Sequence, residues 1–200
     1  MAILENKEFI PTLFYLAVAL ISIVMYHKSN SNYSSTTKKI HSIKSFMYLY
    51  KYIQFSTFVI CMISIWSNHR FLFKLYNNTD FLVYLGIAIS GIGITLFSIS
   101  RFSLGNNYSP CYDSYMPKNL KTTGIYSLVR HPIYSSNILL MIGIFISTGS
   151  LIIGANTAVL FIYYSLSAII EEKAIARRFP KYESYKRKTG MFLPNFARMI

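Results

Sequence analysis

Apolar runs alternate with polar segments along the 200-residue chain. A bilayer span needs about 20 mostly apolar helical residues. Phe9 to Tyr26 is the first such run, with Pro11 in its first turn, where proline is tolerated. It is read as a span and not as the core of a signal peptide. The run is long, Glu5 and Glu8 precede it, and no small-residue cleavage site follows. Phe46 to Trp66 is the second run, rich in tyrosine at its start, as an interfacial belt would be. Phe81 to Leu104 is the third. Its Gly86, Gly91 and Gly93 are small residues that let helices approach closely. From Ile133 to Ile170 the chain is apolar for long enough to make two short spans, with a tight hairpin near Thr148 to Asn156. There is no internal repeat.

The polar segments matter as much. Residues 105–130, GNNYSPCYDSYMPKNLKTTGIYSLVR, hold two prolines and two glycines. The segment cannot span and is too long for a simple turn, and loops of that length in compact proteins are more often functional than idle. The tail 173–200 is strongly basic and carries Tyr182, Tyr185 and Pro194. The pattern predicts an all-α integral membrane protein forming a single transmembrane domain over 1–200. It has about five transmembrane helices, near 9–26, 46–66, 81–104, 133–149 and 152–172. A pocket is expected at the cytosolic face, between the last two helices, the 105–130 loop and the tail.

Composition agrees. Hydrophobic residues make up 53% and charged residues 14%, with a mean hydropathy of +0.38. A soluble domain carries about 25% charge, so a disordered chain is excluded and an ordinary soluble domain disfavoured. The net charge of +13 would suggest nucleic acid in a soluble protein. Here the basic residues lie between apolar runs, so they report topology and contact with anionic lipid head groups, and no nucleic-acid partner is expected. With the N-terminus outside, seventeen of the twenty Lys and Arg fall at the inner side, which sets the C-terminus in the cytosol. The membrane is expected to be a bacterial inner membrane or the endoplasmic reticulum. Cys61 and Cys111 make neither a disulfide framework nor a cysteine-rich metal site. His27, His41 and His69 have no ligand-like spacing with His131, so no metal is expected.

The five-span topology brings the start of span four and the end of span five to one membrane face. His131 and Glu171 then become neighbours across forty residues. Glu171 and Glu172 follow an apolar helix directly, and ionisable groups at membrane depth are costly and usually functional. Their bland alternative is a solvated helix end neutralised by the nearby arginines; if the helix continues past them, Glu171 and Arg178 lie seven apart on one face and can pair. His131 is a base, a ligand group or an interfacial structural residue. The helix start beside it offers amides that suit a carboxylate. Gly91-Ile92-Gly93 lacks the third glycine and the flanking strand of a dinucleotide fingerprint, and reads as helix packing.

Gly124-Ile-Tyr126-Ser-Leu-Val-Arg130-His131-Pro132-Ile-Tyr134 resembles the G-x-Y-x-x-x-R-H-P-x-Y element of the isoprenylcysteine carboxyl methyltransferase family. Glu171-Glu172, then Phe179-Pro-Lys-Tyr182-Glu-Ser-Tyr185-Lys and Pro194, resembles that family's ending. The two elements cover roughly the C-terminal eighty residues. The resemblance implies an integral membrane enzyme using S-adenosyl-L-methionine. It implies a cofactor pocket lined by Leu120, Tyr126, His131, Pro132, Tyr134 and Glu171, with Glu172 and Arg130 in catalytic roles. It implies a lipid or prenylated substrate entering between helices, most like the carboxyl O-methylation of a prenylated cysteine. Related activities are phospholipid N-methylation and thiol S-methylation. Ser167 stands where the family often has an arginine for the substrate carboxylate, Ser136 and Pro180 replace glycines, and Lys118 replaces a histidine. Arg130, Arg177 or Arg178 could substitute for the missing arginine. If the acceptor is an amine, a base must take a proton, and Glu172 or His131 are the candidates. Two other classes compete: an NADPH-dependent protein like the membrane sterol reductases, and a non-enzymatic membrane scaffold.

Overall fold

The structure is a computed structural model that describes residues 13–18, 20–21, 39–42, 44–66, 75, 79–109 and 113–195. Most of them are helical. The main helices are α1 (Lys44–Trp66), α2 (Asp80–Leu104), α4 (Pro132–Thr148) and α5 (Leu151–Arg178). Two short helices, α3 (Ile125–Leu128) and α6 (Tyr182–Lys188), lie in the polar segments. Residues 13–18 and 20–21, within the first expected span, are helical, and the rest of that span lies outside the described residues. Helices α2 and α5 are long and apolar enough to cross a membrane; α4, with 17 residues, is a shorter apolar helix. Their outward faces expose Phe81, Ile92, Phe102 and Ile162, an apolar surface that water tolerates poorly.

Local chemistry sets the helix ends. Thr79 caps α2, its Oγ1 accepting from the Leu82 amide. Pro132 opens α4 at a position where its missing N–H costs nothing. Gly149 closes α4 with φ 63°, and its amide donates to the Phe145 carbonyl. A left-handed residue there favours glycine. The chain then reverses within two residues into α5, the tight hairpin the apolar pattern anticipates.

The helices α2 and α4 pack backbone to backbone. A Cβ on Gly86 would lie 2.5 Å from the Gly143 carbonyl oxygen, and one on Gly143 would lie 2.6 Å from that of Gly86. Gly93 meets the Leu140 amide in the same way, whereas Gly91 faces Phe14 with room to spare. Gly143→Val should therefore destabilise the protein by roughly 1–3 kcal/mol, the usual cost of overpacking. Thermal unfolding in detergent would show this as a lowered midpoint, and Gly91→Ala measured beside it should show almost none. The core continues through Ile53, Ile60, Met141, Ile144, Ile153, Leu160, Tyr163 and Tyr164. Asn156 on α5 donates to Ser56 and Thr57 on α1, at 3.1 and 3.2 Å, pinning those helices by a polar contact inside an apolar layer.

Two expectations change. The described chain is not wholly α-helical: β1 (Lys39–Ser42) pairs antiparallel with β2 (Asp113–Tyr115). Strands of three and four residues show no readable period, and their partners lie more than seventy residues apart. The last expected span also runs past residue 172, with α5 continuing to Arg178. Glu171 and Glu172 thus lie inside a helix, and their backbone groups stay hydrogen-bonded.

Candidate functional site

Arg130 and His131 sit in the short connection between α3 and α4. The tail runs alongside it. The Arg130 amide donates to the Gly190 carbonyl at 2.8 Å, and the His131 amide to that of Met191 at 3.1 Å. Ser135 Oγ donates to the Phe192 carbonyl at 2.7 Å. The tail stretch 190–192 is thereby fixed beside His131, whose ring meets Phe192 at 6.2 Å.

The two adjacent glutamates diverge. Glu172 is 3% exposed and spends both oxygens inside the protein. Its Oε1 accepts from Arg130 Nε at 2.7 Å and lies 3.2 Å from His131 Nε2, while Oε2 pairs with Lys186 Nζ at 3.1 Å. Arg130 also donates from Nη1 to the Lys186 and Thr189 carbonyls. Glu171 instead lines a cavity of about 150 Å³. Tyr134 Oη donates to its Oε1 at 2.7 Å, and His131 Nδ1 lies 3.8 Å from its Oε2. Glu171 thus partners Tyr134 and His131, and Arg178 lies over the Phe179 ring instead.

The cavity has two ends. One is walled by the loop after α2, with Leu104, Asn107, Tyr108, Pro117, Asn119 and Leu120. Asn107 ties this wall together, accepting from the Lys118 amide at 3.0 Å. Arg101 is buried beneath it, its guanidinium over the Tyr108 ring and its Nη1 donating to the Gly105 carbonyl. The other end is walled by Tyr50, Ile133, Asn137 and Tyr164. From Tyr164 to Ile175, both lining, helix α5 rises roughly 16 Å at 1.5 Å per residue, with Glu171 between them. His131, Tyr134 and Tyr164 form a ring stack along this wall, with centroids 5.2 and 4.6 Å apart.

Tyr126, Tyr182 and Tyr185 close the tail side of the cavity. Burial raises all three phenols, with Tyr185 pushed up to about 12, so they remain protonated donors in the neutral range. Tyr126 donates to the Ser100 carbonyl, and Tyr185 to the Tyr126 carbonyl.

The cavity lining therefore includes Leu120, Tyr126, Arg130, His131, Pro132, Tyr134 and Glu171, all singled out by sequence. Glu172 stands behind it, in the ion-pair cluster. Sequence reasoning missed Asn137 and Tyr164. Both left a signal: Asn137 is a lone amide three residues after Tyr134 in an apolar helix, and Tyr164 precedes Glu171 by two helical turns. Tyr50 and Tyr108 left none. Cys111, His27 and His69 lie outside the described residues. Among the described residues, no group of three or more His, Cys, Asp or Glu could hold a metal ion.

Residues 81–182, just over half of the chain, match the phospholipid methyltransferase family. The cobalt-zinc-cadmium resistance protein CzcN of Cupriavidus metallidurans is 33% identical over 116 residues, covering 56% of this chain and 54% of that protein. The nickel-cobalt-cadmium resistance protein NccN of Alcaligenes xylosoxydans xylosoxydans is 28% identical over 113 residues, covering 56% and 51%. The chain spans about half the length of these curated relatives. Among solved structures, the eukaryotic intramembrane Ras methyltransferase ICMT (isoprenylcysteine carboxyl methyltransferase) has a similar fold. The TM-score is 0.53 at 20% identity, over 78% of this chain and 54% of that one.

Proposed function

Because this chain belongs to the phospholipid methyltransferase family, we propose that it transfers a methyl group from S-adenosylmethionine to an amine-bearing lipophilic acceptor drawn from the membrane. The observation that carries this reading is the position of Glu171, a carboxylate between the loop end and the apolar end of one cavity.

The residues present fit the cofactor chemically. S-adenosylmethionine, when bound, supplies an activated methyl group on a sulfonium sulfur, together with an ammonium, a carboxylate and a flat purine. Glu171 would hold the cationic part. The first turn of α4 lines the cavity and has no side-chain cap, so the Ile133 amide at the helix start suits a carboxylate. Tyr108, Pro117, Leu120 and Ile175 offer flat and apolar contact for a purine.

The acceptor is proposed to lie at the other end, against Tyr50, Tyr134, Asn137 and Tyr164. The aromatic faces and the neighbouring Glu171 suit an ammonium group. They suit a carboxylate less well. Ser167, one turn before Glu171, is fully buried and brings no charge. Arg130 is already committed to Glu172 and two carbonyls. An unpaired carboxylate in such a site would pay its full desolvation cost. The carboxyl O-methylation expected from sequence thus has less support here than N-methylation.

The test uses the purified full chain in lipid nanodiscs. Calorimetry should show S-adenosylmethionine binding with no competing NADPH binding, and Glu171→Ala should lose it. Labelled methyl transfer should appear on amine-headed lipids, in preference to a prenylcysteine or a long-chain thiol. Preference for NADPH would overturn the reading.

A further inference from the structure

We infer that His131 and Glu172 act as a base dyad, in which Glu172 positions the imidazole and His131 Nδ1 removes the acceptor's proton. The inference rests on the amine reading above, since an ammonium must lose a proton before its nitrogen can attack.

The geometry gives the two ring nitrogens different duties. Nε2 lies 3.2 Å from the Glu172 carboxylate, which is buried and cannot reorient, being held by Arg130 and Lys186. A neutral imidazole there carries its proton on Nε2 and donates it to Glu172. The Nδ1 lone pair is left for the cavity that His131 lines. A carboxylate that fixes a histidine tautomer in this way makes its other nitrogen a directed base. The ring cannot turn away, being stacked on Tyr134 at an interplanar angle of 7° with Phe192 at its edge.

The charge balance favours the transfer. The N–H bond of the ammonium breaks, an Nδ1–H bond forms, and the freed lone pair becomes the nucleophile. The resulting imidazolium faces Glu172 on one side and Glu171, 3.8 Å away, on the other. The opposing charges are Arg130 from its own segment and Lys186 from α6, both engaged with Glu172. Tyr134 from α4 and Tyr182 and Tyr185 from α6 are neutral neighbours. Lys186 is 44% exposed, so the cluster also touches solvent, where a proton can be returned. This arrangement gives Glu172 a task although it stands behind the cavity wall.

Nitrogen-15 spectra of histidine-labelled protein without ligand test the tautomer directly, with His131→Gln identifying the signal. The expected state carries the proton on Nε2, and Glu172→Gln should abolish that preference. In methyl transfer to an amine-headed lipid, Glu172→Gln should lower kcat by about 10²-fold or more, as loss of the carboxylate that fixes a catalytic histidine's tautomer does, while KM for S-adenosylmethionine changes little. Should Glu172→Gln fail to fold, Lys186→Gln serves, because its side chain is half exposed. Removing that positive charge favours the imidazolium, so the acid limb of the kcat profile should move to higher pH. A merely structural ion pair would leave the profile in place. A proton found on Nδ1, or a kcat profile unmoved by either variant in a protein that does methylate amines, overturns the dyad alone. Wild-type protein that binds S-adenosylmethionine but methylates no amine overturns the acceptor reading and the dyad together.

Discussion

Arg130→Met is expected to cost about 3 kcal/mol of stability, the lower end for removing one partner of a buried ion pair. The reason is what it leaves behind. Glu172 would keep only His131 and a half-exposed Lys186 in a site 3% open to solvent. The Lys186 and Thr189 carbonyls would lose their donor as well. Those carbonyls belong to the segment that seats the tail against residues 129–131. Limited proteolysis should therefore cut within 181–195 far faster in the variant, alongside a lower unfolding temperature in detergent. Adding Glu172→Leu should restore part of the loss, because it removes the stranded charge instead of pairing it. A double variant no more stable than the single one would show that the cost has another origin.

Glu171→Gln should weaken S-adenosylmethionine binding roughly ten- to a hundredfold. Hydrogen bonds and contacts to a charged group contribute about 1.5–3 kcal/mol, and each 1.4 kcal/mol is a factor of ten. The substitution keeps the volume and the capacity to accept from Tyr134 Oη, so it removes charge and little else. Stability should change little, since Glu171 is only partly buried and stands at a cavity wall. Tyr134→Phe makes the complementary control. It loses the phenol donor but keeps the ring stack between His131 and Tyr164, so it should affect binding much less. Calorimetry on the three proteins decides the matter, and equal binding by wild type and Glu171→Gln would remove Glu171 from the cofactor's counter-charge.

Much of this was legible in the residues. Periodicity and length place helices at 80–104 and 132–148, and the start of the helix at 151, to within a position or two, because apolar runs bounded by Thr79, Pro132 and Gly149 carry both their faces and those ends; the end of the last helix, six residues beyond the apolar run, was not legible. The Arg-His-Pro-x-Tyr element and the Glu-Glu pair mark the candidate site for the same local reason, since ionisable groups are rare in an apolar chain. The different fates of Glu171 and Glu172 were not legible. Adjacent residues on a helix point about 100° apart, and only the position of α4 and the tail decides which of the two meets the cavity.

The sequence by itself thus determined the helical elements, their apolar faces and the polar residues that converge at one end. It does so because each signal is short-range: a cap, a period, a breaker, a charge in an apolar run. The tertiary structure alone decided that Arg130 turns inward to Glu172, that Tyr164 and Asn137 wall the far end of the cavity, and that the tail returns to lie beside His131. Those contacts join residues 27 to 59 positions apart. They form because burying charge and aromatic surface stabilises the protein only when every partner arrives together.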